Sequence, residues 1–226
     1  MALKTADRSL RLPIRVWDTP TRLFHWCLVL LFVTAYASSQ LDWWQLHLLA
    51  GYAVLVLLFF RLVWGFIGSE TSRFANFLVS PLAGLRHLKH FRYLEPDTQI
   101  GHNAAGGWMV LILLGVLGLQ VGTGLFSNHH GTVNGPLTKY VGHATSNLLA
   151  DVHSRLFDLL MAAVILHVVT VVAYFVVKKQ DLVRPMITGK KRLPAATRAP
   201  RLANPLLAAV VLLATIAAVV ALVQLA

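Results

Sequence analysis

Five stretches of this chain run apolar for about twenty residues each, at roughly 23–39, 44–66, 103–126, 153–177 and 205–225. Each is close to the ~20 residues a helix needs to cross a hydrocarbon layer ~30 Å thick. None alternates as a barrel strand does, and a span must satisfy its own backbone hydrogen bonds, so the pattern predicts helices. Between the spans, "WDTPTRLFHW" offers Asp18 or Thr19, with Pro20, as a helix start. "SPLAGLRHLKHFRYL" begins with Ser80 as N-cap and Pro81 in the first turn, then sets Leu82, Leu85 and Leu88 against Arg86, Lys89 and Arg92. That pattern predicts an amphipathic helix lying in the membrane interface. Trp43 and Trp44 suit the headgroup region as anchors. Segment 127–151, rich in Gly, Asn and Thr, is the one sizeable outer stretch, a lid or docking surface. "KKRLPAATRAPRLANP" carries Pro194, Pro200 and Pro205 and reads as an extended connection to the last span.

Composition agrees with this layout. The 226 residues are 57% hydrophobic with a mean hydropathy of +0.65, and the spans leave no room for a separate globular domain. The expected fold is an all-α integral membrane protein, a four-helix bundle plus a fifth C-terminal transmembrane helix. A net charge of +11 raises the question of nucleic acid, and its distribution answers it. Lys4, Arg8, Arg11, Arg15 and Arg22 precede the first span; Arg73, Arg86, Lys89 and Arg92 lie between the second and third; eight more, from Lys178 to Arg201, lie between the fourth and fifth. By the positive-inside rule the N-terminus is cytoplasmic and the C-terminus periplasmic. The basicity thus reports topology and attraction to anionic lipid, with no nucleic-acid partner. "AYA" at 35–37 before Ser38 imitates a signal-peptide cleavage site, but the histidine within the first span argues for a retained helix. Cys27 is the only cysteine, so any haem is held without a thioether link.

Four of the ten histidines fall inside spans, where ionisable side chains are functional candidates: His25, His47, His153 and His167. His153 and His167 are 14 residues apart, which places them within about 40° of one helix face and about 21 Å apart in depth. With the topology above, His25 shares the inner level with His167, and His47 the outer level with His153. Imidazole pairs from facing helices are what bis-histidine haem ligation needs. A proton relay or a metal-transport site is the competing reading of intramembrane histidines.

Arg61 follows His47 by 14 residues and so reaches the inner level; Arg22 lies near His25 and Arg155 near His153. These are candidates for haem propionates, against the plain reading of Arg22 and Arg61 as cations snorkelling to headgroups. Arg155 with Asp158 at i+3 also reads as a local ion pair. Gly51, Gly115, Gly118, Gly122 and Gly124 serve equally for macrocycle clearance or for close helix packing.

The motifs reached so far resemble the b-type cytochrome subunit of nickel-iron hydrogenases and the related bacterial cytochrome b561 proteins. "VWDTPTRLFHW" is similar to the family's opening, with His25 at its ligand position. "QLHLLAGYAVLVLLFFRLVWGFIGS" resembles its second span, with His47 a ligand and Arg61 in the Arg-Leu-x-Trp-Gly run. "GHNAAGGWMVL" looks like the start of its third helix, "VHSRLFDLLMAAVILHVV" its fourth with His153 and His167 as ligands, and "LVRPMITGKK" the tail that follows. The likeness covers most of residues 14–192, which the resemblance makes a di-haem cytochrome b membrane domain, leaving 193–226 as linker and C-terminal transmembrane helix.

The resemblance implies two haem b groups, with His25 and His167 on the inner one and His47 and His153 on the outer. It also implies electron transfer in the bacterial inner membrane between quinone or quinol and a periplasmic or membrane redox protein, a hydrogenase or a c-type cytochrome. The quinone site is expected at the inner haem near Trp26, Arg61 and His102, where His102 is either a proton donor or a helix-end polar residue. Ser154 departs from the Glu or second His frequent in the family. The outer His129, His130 and His143 are also unexpected; they form a metal site or are simply solvated. Two other functions compete: direct exchange of electrons between superoxide and quinone without a partner protein, and haem-free transport through a histidine relay.

Overall fold

The computed structural model describes residues 10–89, 93, 97–129 and 133–225, with the side chains of Leu88 and His129 left out. Among the described residues, five helices are long and apolar enough to cross a membrane: α1 (Thr19–Gln40), α2 (Trp44–Ile67), α5 (Ala104–Phe126), α6 (His143–Val176) and α8 (Pro205–Leu225). Shorter ones intervene: α3 (Phe74–Phe77), α4 (Pro81–Lys89) and α7 (Val183–Thr188). The chain is therefore an all-α multi-pass membrane protein. The helices match the expected spans except at the start of α6, which begins at His143, ten residues before the apolar run. "HATSNLLAD" mixes polar residues around the helix and gives no span signal, yet it continues the same helix outward. At 34 residues, α6 is about 51 Å long and exceeds the hydrocarbon thickness.

The chain divides into two compact units. The first comprises Met1–Leu23, Val63–Val110 and Leu166–Ala208. Here β1 (Arg11–Arg15) pairs antiparallel with β4 (Lys190–Pro194), from Arg11 opposite Pro194 to Arg15 opposite Lys190. The backbone N–H groups of Val16 and Trp17 donate to the Gly189 carbonyl at 2.8 and 3.2 Å. Gly189 sits at φ 78°, a left-handed position that glycine adopts without strain and that closes α7. Val16, Trp17 and Leu193 are buried together, flanked by Ile14, Ile100 and Met186.

Asp18 ties this strand region to α1 and to the end of α2. Its Oδ1 accepts the Thr21 N–H at 2.6 Å, so Asp18 is the N-cap and Thr19 the first helical residue. Its Oδ2 accepts from Trp64 Nε1 at 3.2 Å and Ser72 Oγ at 3.3 Å. Trp64 is fully buried. The connection to α8 turns after β4, where Thr197 N–H donates to the Pro194 carbonyl at 2.8 Å, and then runs without regular structure: Arg201 N–H donates to Glu70 Oε2 at 2.8 Å and Ala203 N–H to Ser69 Oγ at 2.8 Å. Ser80 Oγ accepts the Ala83 N–H at 3.4 Å at the start of α4. Leu82 and Leu85 are exposed, so the apolar face of α4 turns away from protein, as an interfacial helix requires. Arg92 lies outside the described residues.

The second unit comprises Phe24–Leu62, Leu111–Ile165 and Ala209–Ala226. Asp42 at φ 57° makes the turn from α1 to α2. Phe157 of α6 stacks on Phe32 and Tyr36 of α1, with ring centroids 6.2 and 5.2 Å away. Between α5 and α6, β2 (Asn128–His129) and β3 (Val133–Asn134) form a minimal hairpin. A single 3-10 turn, Thr138–Tyr140, follows, and Tyr140 Oη donates to the Leu225 carbonyl of α8 at 3.1 Å. Ser146 Oγ donates to the Phe126 carbonyl at 2.8 Å, fixing the first turn of α6 to the end of α5.

Candidate functional site

His47 is the fourth residue of α2, and its Nδ1 lies 2.8 Å from the Ala35 carbonyl oxygen. A carbonyl only accepts, so Nδ1 carries the proton and Nε2 keeps its lone pair. His153 on α6 repeats the arrangement, with Nδ1 2.8 Å from the Gln120 carbonyl of α5. Its Nε2 accepts from the Gln120 side-chain amide at 3.2 Å. The two ring centroids are 6.2 Å apart. Imidazoles bound on either side of a metal at about 2 Å per bond have centroids on the order of 6 Å apart. Each ring thus has its tautomer set by a backbone acceptor, as metal-ligating imidazoles do, and the separation suits one metal ion. The donor set fits a haem iron.

Gln120 escaped the sequence reading, although a lone amide in an apolar span was a signal. It is 9% exposed, and its Oε1 is buried with no hydrogen-bond partner among the described residues. Ala35 had no signal, because it acts through its backbone. Gly124 is required by contact: a Cβ there would stand 2.9 Å from His153 Cε1. At Gly51, Gly115 and Gly122 a Cβ would meet nothing within 4 Å, and at Gly118 only Leu58 Cδ2 at 3.7 Å. Close helix packing therefore does not explain Gly51, Gly115 and Gly122.

The other expected residues are placed as follows. His25 and His167 fall in different units. His25 packs edge-on to Trp26, centroids 5.0 Å apart, while His167 is half-buried on α6. Trp26 is exposed and Arg61 is 3% exposed, so Arg61 is not a headgroup-seeking cation. Arg22 donates to the Ile187 carbonyl at 2.5 Å and to Thr19 Oγ1 at 3.3 Å, which makes it a cap for the end of α7. His102 lies against Trp17 and Phe77, with centroids at 4.8 and 4.6 Å, one residue before Asn103, whose Oδ1 caps α5 by accepting the Gly106 N–H at 2.7 Å. Asn103 also donates to Tyr174 Oη at 2.8 Å, which lies 2.7 Å from His87 Nε2. That part-buried chain of polar groups was invisible in sequence because its members are far apart in the chain.

Arg155 and Asp158 are both exposed and form no ion pair within 4.0 Å among the described residues, so the expected local pair is absent. Arg155 is about 200° around α6 from His153 and is not brought against it. Ser154 is exposed. Of the outer histidines, His143 heads α6 with Nδ1 3.3 Å from Asn128 Nδ2; His130 lies outside the described residues. No cluster of three or more His, Cys, Asp or Glu suited to a metal ion occurs among the described residues.

Membrane-length helices that hold a facing pair of imidazoles through backbone carbonyls are the arrangement a membrane cytochrome needs, and comparison with known proteins gives the class. This chain belongs to the prokaryotic cytochrome b561 family, whose model matches residues 16–189. It is also similar to the probable Ni/Fe-hydrogenase B-type cytochrome subunit of Rhodobacter capsulatus, at 25% identity over 218 residues covering 80% of this chain and 82% of that protein. No solved structure matches the chain. The protein is a transmembrane b-type cytochrome of electron transfer, with haem b as its cofactor. Haem-free transport is thereby set aside.

Proposed function

We propose that this protein is a di-haem cytochrome of the bacterial inner membrane, N-terminus cytoplasmic and C-terminus periplasmic, that passes electrons between quinone and a redox protein at the outer face. The observation that carries this reading is the His47–His153 pair, 6.2 Å between centroids, with both Nδ1 atoms held by backbone carbonyls. These two side chains are the proposed ligands of the outer haem. Bound haem iron supplies one-electron exchange between its ferrous and ferric states. The protein holds the imidazoles in one tautomer and offers Gly51 as open space one turn from His47.

The second haem, on His25 and His167, rests on the 14-residue interval in α6 rather than on contacts. Arg61, a buried cation on α2, is proposed as a propionate partner, and Trp26 and Arg61 as residues facing quinone. Residues 14–192 are the proposed haem domain and 193–226 its linker and anchor. Because the similar Rhodobacter protein is named as a hydrogenase subunit, a hydrogenase is the first choice of outer partner, with a c-type cytochrome the next. The test is haem stoichiometry of the purified chain, by pyridine haemochrome against protein, followed by redox titration. Two haems and two potentials are expected; one haem, or a His47→Ala variant that keeps both, overturns the reading.

A further inference from the structure

The face of α6 opposite His153 carries both an acid and a base within a membrane-length helix. His153, Phe157 and Leu160 point inward: His153 to Gln120, Phe157 onto Phe32 and Tyr36, and Leu160 4% exposed. At about 100° per residue, Asp151, Arg155, Asp158 and Ala162 all fall within about 50° of the diametrically opposite line. All four are exposed. The contact of His153 with His47, three residues inside the start of α2, sets their depth. Arg155 is about 7 Å and Asp158 about 12 Å inward of Trp44, where α2 begins. Arg155 has a stem long enough to reach the outer headgroups. Asp158, with a single methylene, does not, and so presents a carboxyl group to hydrocarbon. Intramembrane carboxylates pair with a cation or face protein, and neither Asp158 nor Arg155 forms an ion pair among the described residues.

We propose that this stripe is the contact surface between two copies of the chain, related by a two-fold axis along the membrane normal, each Arg155 paired with the partner's Asp158. Both copies insert the same way, so their α6 helices run parallel. A two-fold contact is self-complementary: residue i meets j while j meets i. A surface carrying one base and one acid three residues apart satisfies both charges against itself. A partner bearing charge of one sign satisfies only one of them. Ala162, in the middle of the stripe one turn beyond Asp158, lets the backbones approach. The inference goes beyond electron transfer and holds whichever outer partner is used.

The experiment is step-counting of fluorophore bleaching on the full-length cytochrome in liposomes over a series of lipid dilutions. The wild type is expected to bleach in two steps at high density. Arg155→Asp and Asp158→Arg should each weaken dimerisation by at least about tenfold, as expected for loss of desolvated charge pairs. Mixing the two variants under different dyes should restore two-colour dimers. Asp158→Leu, which puts a hydrocarbon side chain against lipid, guards against misfolding: a monodisperse monomer with retained helicity is expected. In a Cys27→Ser background, Ala162→Cys should cross-link between copies. A wild type that is monomeric at every dilution, an Asp158→Leu variant that dimerises like the wild type, or failure of the mixed variants to pair overturns the proposal.

Discussion

The surroundings of His153 and of Asp18 are built on opposite plans. Around Asp18, side chains bond to side chains: Trp64 Nε1, Ser72 Oγ and the Thr21 backbone converge on one carboxylate, and Trp64 is fully buried. Around His153 and His47 each Nδ1 is held by a backbone carbonyl, the Gln120 side chain adds a bond to His153 Nε2, and a Cβ at Gly51 or Gly122 would meet nothing within 4 Å. A region that only has to hold together closes on itself; one that has to receive a flat cofactor anchors its ligand rings through Nδ1 from behind.

Variants that attack the two plans should behave differently. The largest effect is expected from His153→Ala, which removes a ligand that nothing nearby replaces: haem per protein should fall from about two to about one, measured by pyridine haemochrome. Gly124→Val drives a branched side chain into the His153 ring and should weaken haem retention by roughly 10–100-fold, the range found when a ligand's support is disturbed, read by transfer of haem to apomyoglobin. Asp18→Ala should leave haem in place but lower stability by about 2–4 kcal/mol, from a lost cap and two buried donors left bare, seen as a lower midpoint in thermal unfolding. Gln120→Leu keeps the backbone carbonyl that holds His153 and removes only its amide. It should shift one haem potential by about 20–60 mV, at 59 mV per tenfold change, with haem content unchanged. Trp64→Phe should cost about 1 kcal/mol, one hydrogen bond's worth. If Asp18→Ala and Gly124→Val lost haem equally, the contrast between the regions would be gone.

How far each plan was legible depends on the distance over which it acts. The spans, the cap at Asp18 and the start of α4 are local, written in stretches of a few turns, and the sequence shows them closely except at the start of α6, whose first ten residues carry no apolar signal. The depth pairing of His47 with His153 was also readable, because charge sets topology and a helix has a fixed rise. The bond from Asp18 to Trp64 joins two motifs that look independent in the chain. Gln120 acts partly and Ala35 wholly through backbone carbonyls, which carry no residue signature. The pairing of β1 with β4 was missed because each strand is five residues long, too short to stand out beside membrane spans.

That pairing dates itself in the life of the chain. About 175 residues separate Arg15 from Lys190, and at roughly 5–20 residues per second the first strand waits about ten to thirty-five seconds for its mate. By then α1, α2, α5 and α6 have all left the ribosome. The two strands behave as a clasp that fastens only after those four helices have been made, so it closes late, and a chain halted before residue 190 has nothing to fasten.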